Sequence, residues 1–262
     1  MAPAIKTLGI ALGYESVGAG YPIIFITGLG GYGAYWNFQV AALSQHYRTI
    51  TFDHRGVGSS PGDPPYSVEQ WAGDTIHLID HLKLDRVHLV GHSTGGLIAQ
   101  TIASTNPDRV TSLILSGTWV RPDDRFIRLF KFRKRVLLEM GEEAYQELGR
   151  TLAMSSEASP SPARLPTKDA TPPAIVTARI DALLAYDAGT ALRRISCPTL
   201  VLATKDDLLV PTHLGAVLAA EIPGARLVCL EHGGHHFPRT RSAEYNGLLD
   251  QFLGRQNIGR EP

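Results

Sequence analysis

Short apolar runs recur along the chain and alternate with stretches in which apolar residues follow helical spacing. A strand that is buried on both faces of a parallel sheet is continuously apolar, whereas a surface helix is apolar on one face only. The alternation therefore predicts an α/β fold with a mostly parallel central β-sheet flanked by helices. The predicted strands are residues 23–27, 48–53, 87–90, 110–116, 199–203 and 226–230.

The segments between and after these strands carry signals of helices, which are predicted at residues 35–45, 67–82, 94–105 and 243–253. Ser67 and Gln70 form a capping box at the start of the second helix. Pro107 ends the third helix, because the residue before a proline disfavours helical backbone. Ahead of the first of these strands, residues 6–12 and 12–16 predict an antiparallel hairpin.

The alternation stops between about residues 120 and 194, where no strand-like run occurs. Helical patterns occupy residues 125–140 and 142–154, and proline-rich segments follow at residues 159–162 and 171–173. These features predict a helical cap that is inserted into the core and joined to it by proline-rich hinges. The predicted division is a cap of residues 121–194 and a core of residues 1–120 and 195–262.

Charge and composition narrow the classes of function. The 262 residues include 25 Lys and Arg and 25 Asp and Glu, so the formal net charge is +0. No overall field attracts nucleic acid or an anionic membrane, and no apolar run reaches the ~18 residues that indicate a membrane span. Cys197 and Cys229 lie in apolar runs without the spacing of metal ligands, and the chain starts without a leader pattern. We therefore expect a cytoplasmic protein with buried free thiols and without nucleic-acid or membrane partners.

One serine stands where an apolar strand gives way to a helical pattern. Ser93 is the centre of Gly91-His92-Ser93-Thr94-Gly95, directly after the strand predicted at residues 87–90. A serine on so tight a turn is held in a strained backbone conformation that exposes its hydroxyl, and the flanking glycines leave room for the turn. The first amide of the following helix, that of Thr94, points back and stabilises an oxyanion formed there. Ser93 is therefore a candidate nucleophile.

A serine hydroxyl is a weak nucleophile at neutral pH, so it needs a base and an acid that orients the base. Asp206 and Asp207 follow the strand predicted at residues 199–203, at the edge where α/β sheets build their sites. Asp207 is the favoured acid and Asp206 the alternative. His235 lies in a glycine-bearing loop after the last predicted strand, and the ordinary pKa of histidine suits a general base. Whether His236 contributes stays open.

The order Ser93, Asp207, His235 is the order found in α/β hydrolases, and the chain resembles this family over nearly its whole length. The likeness rests on the nucleophile turn, the loop from Asp53 to Ser60, the segment from Asp207 to Pro211, and Gly234-His235.

The resemblance implies a second oxyanion donor from the loop after residues 23–27, where Thr27 stands in place of the family's common histidine. In this chain the two donors are the amides of Leu29 and Thr94. The substrate is expected to contact Gly28, Gly30 and His92.

The same loop fits another pattern. Gly28, Gly30 and Gly33 match the G-x-G-x-x-G fingerprint of dinucleotide-binding proteins, and Asp53 stands where the acid that binds a ribose is expected. An NAD(P)-binding oxidoreductase is therefore an alternative. It leaves Ser93 and the later acid and base unexplained, and none of the nine tyrosines has the lysine four residues on that a short-chain dehydrogenase would use.

The first helix of the predicted cap interleaves basic residues with phenylalanines. Arg125 and Arg128 are candidate partners for a carboxylate on a small acyl substrate. The alternative, which is favoured because such faces are ordinary, is a solvated basic face on a helix whose apolar face packs on the core.

These features predict a serine hydrolase that acts on a carboxylic ester, lactone or related small acyl compound without a metal or an organic cofactor. Within the family, the chain is similar to small catabolic hydrolases such as aminoacrylate hydrolases and 3-oxoadipate enol-lactonases. Gly28-Leu29-Gly30-Gly31, Trp36 and the segment from Asp206 to Pro211 carry this similarity. It keeps open a C–N hydrolase of a small amine or amide. A non-catalytic ligand receptor on the same fold is the remaining alternative.

Overall fold

The computed structural model describes residues 4–7, 10–155 and 171–257. Its centre is a sheet of eight strands: β1 (Ala4–Thr7), β2 (Ile10–Val17), β3 (Tyr21–Ile26), β4 (Tyr47–Phe52), β5 (Val87–His92), β6 (Val110–Ser116), β7 (Thr199–Thr204) and β8 (Arg226–Leu230). Their order across the sheet is β1-β2-β4-β3-β5-β6-β7-β8. Strand β2 pairs antiparallel with β1 and β4, and the remaining neighbours are parallel. The predicted α/β class is confirmed.

Strands β3, β5 and β6 form the buried centre of the sheet. Ile24 pairs with Leu89 and Leu89 pairs with Leu113, and all three side chains are fully buried. Burial on both faces explains why these strands are mostly apolar and contain no Lys, Arg, Asp or Glu. The structure confirms the strands predicted at 110–116 and 226–230 exactly as bounded, and the other four with their ends shifted by one or two residues.

Eight helices are described: α1 (Asn37–Leu43), α2 (Val68–His81), α3 (Thr94–Thr105), α4 (Asp124–Ala153), α5 (Pro173–Ala185), α6 (Thr212–Glu221), α7 (Phe237–Thr240) and α8 (Ser242–Asn257). Of the capping box predicted for α2, the serine half is confirmed, since Ser67 Oγ accepts from the Gln70 amide at 3.1 Å. The Gln70 side-chain oxygen has no hydrogen-bond partner within the described residues. The helix predicted from residue 35 is wrong at its start, where a 3₁₀ turn covers Gly33–Trp36. The Gly33 amide, at the first residue of this turn, donates to the Asp53 carboxylate at 2.9 Å.

Helices α4 and α5 are inserted between β6 and β7. Helix α4 consists of two helical pieces joined at Gly141, which has φ 87° and ψ −179°, at the boundary between the two predicted helical patterns. The hinge predicted at residues 171–173 is wrong for Pro173, which is the first residue of α5. Proline suits that position because the missing N–H needs no partner in the first helical turn. The hinge predicted at residues 159–162 lies outside the described residues.

Apolar side chains pack on both faces of the sheet. One face carries α2, α3 and the inserted helices and includes Trp71 and Trp119, while the other carries α1 and α8 and includes Trp36 and Tyr245. Phe126 of α4 packs on Trp119 with ring centroids 4.4 Å apart. The insertion therefore shares the core of one face. Within the described ranges, no helix combines the length and the apolar character needed to cross a membrane.

Candidate active site

Ser93 lies between β5 and α3 in a backbone conformation that side chains rarely adopt, with φ 54° and ψ −122°. Its amide donates to the Ser116 carbonyl at 2.9 Å. A Cβ atom on Gly91 would lie 2.4 Å from the Gly95 oxygen, and one on Gly95 would lie 2.1 Å from the Ile26 oxygen. Both glycines are therefore required for the close packing of strand and helix, and the strained turn expected from the motif is present.

Asp207 and His235 meet beyond the carboxyl ends of β7 and β8. The Asp207 Oδ2 atom accepts a hydrogen bond from His235 Nδ1 at 2.7 Å, and both side chains are almost completely buried. The other carboxylate oxygen accepts from the amides of Leu209 and Val210, each at 2.8 Å. Because a carboxylate only accepts, Nδ1 carries the proton in this contact and Nε2 remains available for another partner.

Asp206, the alternative acid, contacts the backbone of the histidine loop. Its two oxygens accept from the Gly233 amide at 3.1 Å and from the Gly234 amide at 2.9 Å. Burial opposes the charged form of Asp206, but hydrogen bonds from Ser155 and from these two amides outweigh it, so the pKa of Asp206 is lowered. Asp206 therefore shapes the loop that carries His235.

The histidine loop also lies against the end of α4. The His236 amide donates to the Ala153 carbonyl at 3.3 Å. A Cβ atom on Gly234, which has φ 61°, would lie 2.5 Å from the Ala153 oxygen and 2.6 Å from the Ser155 nitrogen. Backbone packs directly on backbone here, so the inserted helix forms one wall of the loop.

The loop after β3 lies beside the serine. A Cβ atom on Gly28 would lie 3.1 Å from the Ser93 Cβ atom. The carbonyl of the next residue, Leu29, accepts from Arg179 Nε at 2.8 Å, which fixes the loop from the side of α5. Thr94 begins α3, so its amide has no acceptor within the helix. The assignment of the Leu29 and Thr94 amides as oxyanion donors stays a prediction.

In the pattern shared with dinucleotide-binding proteins, the last glycine and the acid hydrogen-bond to each other within the chain. Asp53, the acid that the fingerprint would assign to a ribose, accepts from the Gly33 amide at 2.9 Å. Its second oxygen accepts from the Ser59 amide at 2.9 Å and the Ser59 hydroxyl at 2.8 Å. The carboxylate thus joins two loops of this chain, and this use accounts for the glycine and the acid without a nucleotide.

Ser93 and His235 line one cavity of about 390 Å³. The ring of His92 stacks on that of Tyr35 with centroids 5.2 Å apart and lies 4.7 Å from the ring of His235. Burial, together with the nearby rings of His235 and His236, lowers the pKa of His92 well below its ordinary value. Of the residues predicted from the sequence, the cavity is lined by Gly28, Leu29, Gly30, His92, Ser93 and His235.

His236 also lines the cavity, beside His235. Burial, followed by the positive charges of His235, Arg239 and Arg133, lowers the pKa of His236 to about 3. The imidazole is therefore neutral near pH 7.

The arginines of the cavity differ from those predicted. Arg125 and Arg128 are exposed, and neither is among the described residues that line the cavity. Arg125 instead donates to the Leu208 carbonyl at 2.6 Å. Arg133 and Arg179 do line the cavity and are buried, and the sequence analysis missed both.

Arg179 ties α5 to the loops around the serine. Its guanidinium donates to the Leu29 carbonyl at 2.8 Å and to the Arg55 carbonyl at 3.2 Å, and it contacts His54 Nδ1 at 3.0 Å. The guanidinium carbon lies 4.6 Å from the centre of the Trp71 ring. Burial lowers the pKa of Arg179 to about 10, so it stays charged at neutral pH.

A parallel sheet with a strained serine after a central strand, and a histidine–carboxylate pair beyond two later strands, is the arrangement of α/β hydrolases. The model of the alpha/beta hydrolase fold family matches residues 21–238. The chain belongs to this family, as its motifs indicated.

Two named relatives are similar in sequence over nearly the whole chain. The chain is 34% identical over 254 residues to the carbamate hydrolase RutD of Azorhizobium caulinodans, covering 92% of this chain and 94% of the relative. It is 36% identical over 243 residues to the protein of the same name from Pseudomonas savastanoi, covering 89% and 94%.

Solved structures of hydrolases share the fold. The enol-lactonase from Burkholderia xenovorans has a TM-score of 0.88 and 27% identity, covering 96% of this chain and 100% of that chain. A thermophilic esterase from Thermogutta terrifontis has a TM-score of 0.86 and 25% identity, covering 97% and 99%. The chain is therefore a hydrolase, which confirms the predicted class of enzyme.

Proposed function

We propose that this hydrolase cleaves a small carboxylic ester, lactone or related acyl compound through an acyl-enzyme on Ser93. The observation that carries the proposal is the 2.7 Å contact between Asp207 Oδ2 and His235 Nδ1. It leaves Nε2 of a buried histidine as the free nitrogen beside a cavity that Ser93 also lines. A base oriented by an acid is what a serine nucleophile requires.

In the first half of the reaction, His235 Nε2 takes the proton from Ser93 Oγ as that oxygen bonds to the acyl carbon. Asp207 stabilises the resulting imidazolium, and the amides of Leu29 and Thr94 hold the oxyanion. Collapse of this intermediate breaks the bond to the leaving group. The leaving group departs with the proton from His235, and the acyl group remains on Ser93.

In the second half, a water molecule attacks the acyl carbon while His235 Nε2 accepts its proton. The second oxyanion collapses, the bond to Ser93 Oγ breaks, and the proton returns from His235 to Ser93. The carboxylic acid product leaves and the serine is regenerated. These steps need only water and the chain's own residues.

Labelling by a fluorophosphonate tests the nucleophile. We expect a single adduct that peptide mapping places on Ser93, and we expect Ser93→Ala to lose both the label and the turnover of p-nitrophenyl acetate, by a factor on the order of 10⁴ or more. Ser16→Ala, which removes an exposed serine hydroxyl on β2, is the matched control and should label normally. Folded wild-type protein without a label on Ser93 would contradict the mechanism.

The similarity to carbamate hydrolases over nearly the whole chain favours a second candidate reaction, cleavage of a C–N bond at the same site. The steps are unchanged except that His235 delivers its proton to nitrogen, which cannot leave as an anion. An ester and an amide with the same acyl group, together with a small carbamate assayed by ammonia release, distinguish the two. A larger kcat/KM for the nitrogen compounds would assign the C–N reaction. Stabilisation by these ligands without turnover of any of them would indicate a binding protein.

The proposal also assigns a role to the insertion. Helices α4 and α5 contribute part of the cavity wall, including Arg133 and Arg179. We therefore assign residues 121–194 as a cap that selects the substrate and residues 1–120 and 195–262 as the core that carries the reaction.

A further inference from the structure

Arg133 occupies a position on α4 where the helix is otherwise apolar. Phe126, Phe130, Arg133 and Leu137 follow one another at spacings of four, three and four residues, so they share one face of the helix. All four are buried, and the arginine is 8% exposed. Burying a charge costs free energy unless another group compensates it, so an arginine at this position calls for a partner.

The protein supplies Arg133 with little compensation. Its guanidinium carbon lies 5.0 Å from the ring centres of both Phe130 and Tyr145. One terminal nitrogen is 3.3 Å from the Tyr145 hydroxyl, which is a long hydrogen bond. Within the described ranges, Nε has no hydrogen-bond partner, and no carboxylate forms an ion pair with the side chain.

Several other cationic side chains nearby have partners within the protein. On the same helix, Lys134 pairs with Asp181 at 2.7 Å and Arg150 pairs with Glu147. Arg179, the other buried arginine of the cavity, donates to two backbone carbonyls. Among the arginines that the structure describes in the cavity wall, Arg133 therefore combines deep burial with unused donors.

The position of Arg133 connects it to the reaction. It lines the same cavity as Ser93 and His235, and its positive charge contributes to the lowered pKa of His236, the neighbour of His235. The aromatic rings of Phe130 and Tyr145 hold the guanidinium between them, which limits its freedom before a ligand arrives.

We propose that Arg133 is the anion-binding group of the cavity and that the substrate carries a carboxylate which it binds, while the scissile acyl carbon lies at Ser93. This inference rests on the proposed function of Ser93 for the identity of the reacting end. The guanidinium offers paired N–H donors that match the two oxygens of a carboxylate.

Binding to the Ser93→Ala protein tests the inference without turnover. The ligands are the monomethyl esters of malonate, succinate and glutarate, each compared by calorimetry with its dimethyl ester, which has nearly the same shape and no charge. We expect at least one monoester to bind more tightly than its diester. Adding Arg133→Gln should then weaken that monoester roughly 10- to 100-fold and leave the diester unchanged, as expected for the loss of a charged hydrogen bond.

Three variants control for effects on folding and for general charge. Arg133→Lys keeps the charge but loses the paired donors, so it should recover only part of the affinity. Arg133→Met keeps an apolar side chain on the buried face, and its thermal midpoint checks that the helix still packs. Arg125→Gln removes an exposed charge from the same helix and should leave both ligand classes unchanged.

Two outcomes would overturn the inference. One is the absence of any preference for a monoester over its diester in the Ser93→Ala protein. The other is an equal loss of both ligands in Arg133→Gln. Failure of the proposed function is separate, because it would show as unlabelled Ser93 in the wild-type protein whatever the calorimetry reports.

Discussion

Buried charged side chains have different hydrogen-bond partners at the edge of the sheet and on the inserted helices. At the edge, Asp207 receives three hydrogen bonds, from His235, Leu209 and Val210. On the insertion, Arg133 is also buried, yet its Nε has no partner among the described residues. A buried carboxylate that is hydrogen-bonded within the protein is held in one geometry. A buried N–H donor without a partner in the protein can bind a ligand. In the proposed function, the core provides the reaction and the insertion provides the selection of substrate.

The two regions are also held in place differently. Parallel pairing sets the ends of β5, β6 and β7 relative to one another through backbone hydrogen bonds. Helix α4 is held by side-chain packing, such as Phe126 on Trp119, and its helical path is interrupted at Gly141. Backbone pairing allows little adjustment, and packed side chains exchange more readily. The following predictions test this division, from the largest expected effect to the smallest.

The largest effect is expected at the sheet edge, from Asp207→Asn. An amide at this position offers N–H to His235 Nδ1 and favours the wrong tautomer, so kcat/KM for p-nitrophenyl acetate should fall by about 10⁴. Asp206→Asn keeps an oxygen acceptor for one of the two glycine amides, Gly233 or Gly234, and should lower kcat/KM only about tenfold. Comparable losses in both variants would contradict the separate roles of the two acids.

A smaller effect is expected from Arg179→Met, because Arg179 on α5 joins the insertion to the loops of the core. It leaves two buried carbonyls and His54 without their donor, so the free energy of unfolding should fall by ~2–4 kcal/mol in urea titration. Loosening of the loop at Leu29 should lower kcat/KM for a monoester and its diester by the same factor. A loss confined to the monoester would instead place Arg179 in contact with the ligand and remove the contrast with Arg133.

The smallest effect, taken per side chain and per pH unit, concerns protonation. Burial is the main cause of the lowered pKa values of His54, His92 and His236, with a folded value of about 3 for His236 against 6.5 ordinarily. The unfolded chain therefore binds protons that the folded chain does not, and the free energy of unfolding should decrease as pH falls from about 6.5 toward 3. His236 contributes up to ~1.4 kcal/mol per pH unit in that window, and His54 and His92 add to the decrease.

Urea titrations at pH 7, 6 and 5 measure this dependence. His236→Asn should reduce the slope, whereas the exposed His46→Asn should leave it unchanged. An unchanged slope in His236→Asn would show that this histidine is not buried in its neutral form.

The sheet and the candidate reacting groups could be predicted from the sequence because their signals are local. A strand buried on both faces is mostly apolar and avoids charged residues, as the wholly buried residues 110–116 do. The turn at Ser93 needs glycines at both flanks, and only the order of later residues is needed to propose Asp207 and His235. Each of these signals depends on a few neighbouring residues.

The arginines that line the cavity could not be predicted from local signals of this kind. Arg125 and Arg128 were chosen from a basic run, but charge alone does not show which face of a helix points inward. Helical spacing from Phe126 does indicate a buried position for Arg133, and that signal was available. The position of Arg179 depends on how α5 packs across the loops after β3 and β4, which no local pattern reveals.

The backbone contact between Gly234 and Ala153 limits how freely the insertion can be exchanged between members of the family. Because the end of α4 and the histidine loop touch without intervening side chains, a transplanted cap in which this helix ends differently would shift the proposed base along with the cavity wall. Chimeras meant to transfer substrate preference should therefore carry residues 153–155 together with residues 233–236 as one unit. Replacing the cap alone would change the chemistry as well as the choice of substrate.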